Sequence, residues 1–345
     1  MPEPVLAALT TLRVGGPAHR LVRARSTDEL VAAVRDTDEA GEPLLLLGGG
    51  SNVVISDEGF PGTVVHVASR GLRVLAADSC GGVLLQVAAG EPWETVVSTA
   101  VEEGWAGVET LAGIPGLTGA TPMQNVGAYG QEVADTIARV RGYDRATDRV
   151  RTFVHEQCRF GYRSSVFSGD DRYVLLDVTF QLRPGRLSEP VRYAELAAAL
   201  GIPMGGRASL RDVREAVLAL RARKGMLLDP DDHDTWSTGS FFTNPIVGVD
   251  SVPSAAPRWQ QPDGRVKTSA AWLIEHAGFA RGYPGPQARV RLSTKHTLAL
   301  TNRGSGTAAD VLALAREIRD GVYREFSITL EPEPRLVGLS VDPAG

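Results

Sequence analysis

The sequence predicts an α+β fold, and three observations carry that reading. Runs rich in β-branched residues mix with amphipathic helical stretches without strict βαβ alternation, which disfavours a doubly wound sheet. Apolar residues make up 43% and charged residues 22% of the 345, a globular composition. At ~100–200 residues per domain the length suits two or three domains, and no internal repeat or low-complexity tract organises them.

Taken in order, the first block reads strand–helix–strand–strand. Ser26 with Glu29 three residues on forms a capping box, Leu30, Ala33 and Val34 mark one helical face, and Gly41 closes the helix. Leu44–Leu47 is a short apolar strand, followed by strands over 53–56 and 63–67. A second block begins near Arg73. It holds a strand over 83–88, a helix over 91–102 with Pro92 in its first turn, strands over 137–143, 150–154 and 173–182, and a helix over 210–223. A third block follows the Asp-Pro loop at 229–232. Strands over 240–242 and 297–300, a Pro-rich loop over 252–262, helices over 269–277 and 310–319, and a closing strand over 336–341 complete it. The expected domains are 1–72, joined by the C-terminal strand at 330–345, then 73–228, then 229–329.

Composition also bounds function. The net charge of −5 argues against nucleic-acid or anionic-membrane partners. No apolar run approaches the ~18–20 residues of a membrane span, and 1–13 has no signal-peptide pattern, so a cytoplasmic protein is expected. Two cysteines, Cys80 and Cys158, fit a reducing compartment and cannot build a cysteine-based zinc or iron–sulfur site. Only Lys224, Lys267 and Lys295 are lysines among 36 basic residues, a hint of roles that arginine cannot fill, though chance survival explains them as well.

Five segments carry chemistry. Gly48-Gly49-Gly50-Ser51-Asn52 lets backbone N–H groups converge with no Cβ in the way, as a pyrophosphate requires; the plain alternative is a turn. The segment after it reads as strand, so neither a Rossmann fingerprint nor a P-loop is present. Residues 113–130 hold five glycines and no charge, which suits either a flat, partly polar ligand or a loop packed on itself. Arg163 beside Tyr162 can fork onto a carboxylate or lie on the surface. Ser240, between Gly239 and two phenylalanines, is either a shielded hydroxyl or a capping serine. Glu333, between Pro332 and Pro334, is a preorganised carboxylate or a stiff strand lead-in.

In this order, and over nearly the whole chain from Leu12 to Glu333, these segments resemble the UDP-N-acetylenolpyruvoylglucosamine reductase family of flavoenzymes. The resemblance implies a two-domain FAD-binding module of vanillyl-alcohol-oxidase type plus a C-terminal α/β substrate-binding domain. It implies non-covalent FAD, NADPH as hydride donor, UDP-N-acetylglucosamine enolpyruvate as substrate, no metal, and a monomer. By the same resemblance Gly48, Gly49, Gly50, Ser51 and Asn52 match the pyrophosphate loop. Pro115, Gly116, Gly119, Thr121, Gln124, Asn125, Ala128 and Tyr129 match the flavin-facing segment, with Arg335 also at the cofactor. Arg163, Ser240 and Glu333 match the catalytic trio. Tyr162, Tyr193, Lys224, Asn244, Trp259, Lys267 and His296 fall where the family contacts the nucleotide sugar. Three positions depart from the pattern: the stretch from Lys224 to Asp229-Pro230 is two residues longer, Trp259 stands where tyrosine is usual, and Pro334 replaces valine.

The implied chemistry has physical sense. Hydride addition to an enol ether conjugated to a carboxylate drives charge into that carboxylate, where the fixed fork of Arg163 meets it. Glu333 supplies a second bond if protonated, and Ser240 supplies the proton to the α-carbon. With no second nucleotide fingerprint, NADPH and substrate are expected to use one cleft in turn. Rival readings are an oxidase of the same flavin fold tethered through His66, Cys80 or Cys158, a nucleotide-sugar binding protein without catalysis, and a metal enzyme built on Asp229, Asp231, Asp232, His233 and Asp234. Acidic Asp-Pro loops are more often solvated turns, and His19, His155 and His276 show no ligand spacing.

Overall fold

A computed structural model describes residues 4–78, 81–169 and 171–342. Cys80 lies outside the described residues. Two units emerge: one from Met1–His19, Gly50–Pro61 and Lys224–Gly345, the other from Arg20–Gly49 and Gly62–Arg223.

The second unit is built on an antiparallel sheet. Its strands run in the order Arg149–Val154, Ile137–Asp144, Tyr173–Pro184, Gly82–Ala88 and Leu72–Asp78. In Gly82–Ala88, Val83, Leu85 and Val87 are buried and their neighbours are not, the two-residue period of a half-covered strand. Trp93–Glu103 buries Trp93, Val96, Val97 and Ala100 on one helical face and ends at left-handed Gly104. Helix Leu210–Arg223 adds Val213, Val217 and Leu220 to the same core. Leu44–Leu47 pairs in parallel with Phe60–Val67. Helix Thr27–Glu39, capped by Ser26, contributes Leu30 and Val34 to a smaller core with Val65 and Leu176.

The first unit has its own core. Helix Ala308–Phe326 lays Val311, Leu312, Ala315, Ile318 and Val322 against Phe241, Phe242, Leu273 and Leu330. Its start is fixed twice: Thr307 and Asp310 form a capping box, and the Asp57 carboxylate accepts the Ala308 and Ala309 amides at 2.8 and 2.9 Å. Strand Arg335–Val337 pairs in parallel with Val53–Ile55.

Several expected elements differ. Residues 240–242 form no strand; only Phe242 bridges Pro332. The partner segment holds Pro332 and Pro334, which have no N–H to give, so a ladder cannot extend. The strand expected at 297–300 lies at Leu300–Asn302, because 293–299 is turned back by its own hydrogen bonds. The closing strand stops at Val337, where Gly338 turns left-handed. The helix expected over 310–319 runs from Ala308 to Phe326, as far as its cap and left-handed Ser327 allow. The Pro-rich loop contains a strand, Arg258–Gln260, paired with Val266–Thr268. The sequence also leaves unread helix Ala194–Leu200 and strand Val290–Leu292. Among the described residues no helix is long and apolar enough to cross a membrane.

Candidate active site

The glycine-rich segments meet in the second unit. A Cβ on Gly49 would stand 2.8 Å from the Gly116 Cα, so two backbones touch there as only glycine permits. Gly116 O accepts the Trp93 amide at 3.1 Å, and the Gly119 amide donates to Ala89 O at 2.8 Å, which seats residues 115–121 on the strand-to-helix connection. Thr121 closes a turn on Thr118 O, and the Val126 amide donates back to Thr121 O at 3.0 Å. Met123 O accepts the hydroxyls of Ser165 and Ser168, so the stretch that carries Gln124 is tied to the segment that carries Arg163. The loop at 48–52 follows strand Leu44–Leu47 and precedes strand Val53–Ile55 in the chain, the strand–loop–strand order expected from the sequence.

Asn125, buried and left-handed at φ 43°, is a clamp. Its Nδ2 donates to the Glu132 carboxylate at 2.7 Å and to Gly161 O at 3.1 Å, and its Oδ1 accepts the Ala134 amide at 3.1 Å. Strand Gly127–Ala128 pairs with Gln131–Glu132, and Tyr129 turns between them at φ 49°. The Tyr129 ring meets Tyr193 edge to face at 5.3 Å, which brings a cofactor candidate and a substrate candidate together. Arg163 and Tyr162 form the tip of a tight turn closed by Gly161 and Ser164. Arg163 is left-handed at φ 50°, its Nη2 donates to Gly127 O at 3.1 Å, and its guanidinium lies 5.4 Å from the Tyr162 ring centroid. Three non-glycine residues held left-handed within one cluster are strain of the kind that collects at functional sites.

Two supports under this cluster are absent from the sequence reading. Buried Glu109 accepts the Gly107 and Glu189 amides at 2.6 and 2.8 Å and the Gln131 Nε2 at 3.2 Å. Gln131 in turn holds Thr110, whose hydroxyl donates to Ala128 O at 3.1 Å. Arg221 donates its Nε to Gly113 O at 3.1 Å, and burial lowers its guanidinium below its ordinary value, opposed by Tyr129 and Glu94. Its position one turn after Val217, on the apolar face of its helix, is the signal that could have found it.

In the first unit, the Asn52 Nδ2 donates to Glu333 O at 3.3 Å, and the Arg335 amide donates to Asn52 O at 3.0 Å. The Glu333 amide donates to Phe241 O at 2.8 Å. Asn52, Glu333, Arg335 and the segment next to Ser240 therefore converge. Gly50 O accepts the Thr11 amide at 3.0 Å, fixing the loop where Ser51 follows. Asn244 Oδ1 accepts the Ala270 amide at 2.9 Å at a helix start. Lys267 is the direct cross-strand partner of both Ile246 and exposed Trp259, so two substrate candidates are neighbours. Lys224 follows helix Leu210–Arg223 directly, and His296 sits in the turn after Ser293.

The acidic loop is spent on structure. Asp229 and Asp232 accept the amides of Asp231 and Asp234, both at 2.9 Å, Asp232 pairs with Lys295, and Asp234 pairs with Arg303. Among the described residues no group of three or more such side chains could hold a metal ion.

A family model described as an FAD binding domain matches residues 18–153, and one described as the C-terminal domain of UDP-N-acetylenolpyruvoylglucosamine reductase matches 229–337. The chain is 59% identical over 338 residues to UDP-N-acetylenolpyruvoylglucosamine reductase of Cutibacterium acnes, covering 97% of this chain and 90% of that one. It is 54% identical over 350 residues to the Thermobifida fusca protein of the same name, covering 97% of each. The crystal structure of the reductase from Thermus caldophilus matches with a TM-score of 0.65 at 26% identity, over 97% of this chain and 98% of that one. With an FAD-binding domain, a reductase C-terminal domain and mixed helix and sheet, the chain belongs to the UDP-N-acetylenolpyruvoylglucosamine reductase family.

Proposed function

We propose that this chain reduces UDP-N-acetylglucosamine enolpyruvate to UDP-N-acetylmuramate, with NADPH as electron donor, in peptidoglycan precursor synthesis. The observation that carries the reading is the backbone hydrogen bond from the Glu333 amide to Phe241 O, which brings the chain at Glu333 next to the segment that follows Ser240 in a chain of this family.

Bound FAD would supply the hydride chemistry that links NADPH to the enolpyruvyl group. Gly48, Gly49, Gly50, Ser51 and Asn52 would hold its pyrophosphate. Residues 115–129, with Pro115, Gly116, Gly119, Thr121, Gln124, Asn125, Ala128 and Tyr129, line its flavin, and Arg335 adds a cation. The run of glycines supports this, because backbone N–H groups with no Cβ beside them can converge on an anion. On the substrate, charge develops at the α-carbon and its carboxylate. Arg163 meets the carboxylate with a two-pronged, permanently charged donor. Glu333, carrying a proton, donates a second hydrogen bond. The Ser240 Oγ gives its proton to the α-carbon, a strong base in a site shielded from water. Tyr162, Tyr193, Lys224, Asn244, Trp259, Lys267 and His296 bind the nucleotide sugar.

An anaerobic visible spectrum of the purified chain tests the whole reading. Flavin absorbance should bleach with NADPH and return on addition of the enolpyruvyl nucleotide. Bleaching reversed only by air would make the protein an oxidase, and no flavin spectrum after addition of FAD would overturn the cofactor assignment.

A further inference from the structure

Asp234 is buried, and its carboxylate gathers donors from two directions. Arg303 Nη1 lies 2.7 Å from Oδ1. On the other side Thr294 Oγ1 donates to Oδ2 at 2.7 Å, Ser293 Oγ donates to Oδ2 at 3.1 Å, and the Thr294 amide stands 3.2 Å from both oxygens. Ser293 Oγ then accepts the amides of Lys295 and His296 at 3.0 and 3.3 Å. One carboxylate, through one buried hydroxyl, thus fixes the backbone of the turn that presents His296.

The chain running from Asp234 toward Ser240 is tied to the same region. Trp236 O accepts the Asn302 amide at 3.0 Å, and the Phe241 amide donates to Leu298 O at 2.7 Å. The stretch after Lys224 closes in as well, since a Cβ on Gly225 would stand 3.2 Å from both Asp234 O and the Lys295 Cδ. Segments leading to Lys224, Ser240 and His296 therefore pack around a single acceptor.

We propose that Asp234 is a positioning residue for nucleotide-sugar recognition, acting through Ser293 and Thr294 to set the His296 turn in register with the segment leading to Ser240. The inference rests on the proposed substrate role of His296. A carboxylate is suited to this post because it only accepts, and all four groups around it donate. An amide in its place would turn two hydrogens toward those donors and leave Arg303 uncompensated.

The test uses the FAD-loaded protein in stopped flow, with Asp234→Asn, Ser293→Ala and, as reference, His296→Ala. Two quantities are read: the rate of flavin reduction by NADPH, and the concentration of UDP-N-acetylglucosamine enolpyruvate needed for half-maximal flavin reoxidation. The inference expects that concentration to rise about 10-fold or more in all three variants, with the limiting rate of flavin reduction at saturating NADPH within about 2-fold of the parent in Asp234→Asn and Ser293→Ala. The Ser293→Ala/His296→Ala double variant should be no worse than the worse single, because both act on one contact. If Asp234→Asn does not fold, Ser293→Ala decides, since it removes a single hydroxyl. An effect of His296→Ala that neither Ser293→Ala nor Asp234→Asn reproduces would overturn the positioning role and leave the site reading standing. No effect of His296→Ala would overturn the site reading at that residue and the inference with it. Equal slowing of both half-reactions would reduce Asp234 to a purely structural anchor.

Discussion

Arg163 occupies the third position of a four-residue turn with φ 50°, a place that glycine or asparagine fills more cheaply. The strain costs of order 1–3 kcal/mol, and something other than the turn must repay it. In the proposed mechanism, a forked cation held at a rigid tip is that return. Arg163→Gly therefore relieves backbone strain while making the unfolded chain more disordered, and its stability should stay within about 1 kcal/mol of the parent. Arg163→Ala keeps the strain and should melt no higher than Arg163→Gly. Both should slow flavin reoxidation by the nucleotide by about 10²–10³-fold while sparing reduction by NADPH. Arg163→Lys keeps the charge without the fork and should recover only part of the loss. Rapid-mixing traces of the two half-reactions, beside thermal melts, separate these outcomes. Ser240→Ala belongs to the same test: the proposed mechanism uses its proton in reoxidation, so unchanged reoxidation would remove Ser240 as the acid.

Among the elements, the strand Phe60–Val67 carries a titration signal. Burial, reinforced by Arg23 and Arg70, holds the His66 imidazole below its ordinary value of 6.5. Near and below that pH the unfolded chain binds the proton more readily than the folded one, so stability rises with pH there. The contribution is complete above the unfolded value and is lost as pH falls through the depressed folded one. His66→Gln should flatten the dependence of unfolding free energy on pH between about 7 and 5, measured by urea titration. An unchanged slope would assign the acid sensitivity to other groups. Elements of this kind were legible where the signal is local. The period of Val83, Leu85 and Val87, the cap at Ser26 and the helix Leu210–Arg223 are all written within a few residues. The expected strand at 240–242 was not, because its partner lies far along the chain and is punctuated by prolines. The site divides in the same way. The glycines of 48–50 and 113–130 marked loops without side chains through composition alone, whereas nothing in the identity of Tyr129 or Arg163 marks a left-handed backbone. Buried Glu109 reads as an ordinary acidic residue, and Asp234 as one of an acidic loop, until their backbone donors are seen. Tertiary structure, not periodicity, decides both.

For the whole molecule, cofactor binding and folding are linked. The FAD-binding match at 18–153 includes the Gly48–Asn52 loop and residues 115–129. A ligand that binds only the folded state adds RT ln(1 + [L]/Kd), about 2.7 kcal/mol at 100 times Kd. Protein stripped of flavin and titrated with FAD should therefore show a melting midpoint that climbs with the logarithm of FAD concentration and keeps climbing after the site is full. The same titration on Gly49→Ala should need a higher concentration for the same shift, because its new methyl group must displace the Gly116 backbone from a 2.8 Å approach. Scanning calorimetry follows the midpoint, and flavin fluorescence, quenched or altered on binding, follows occupancy in the same samples. A midpoint that ignores FAD while the fluorescence reports saturation would mean that the unfolded chain holds the cofactor equally well, which a cradle made of backbone geometry cannot do.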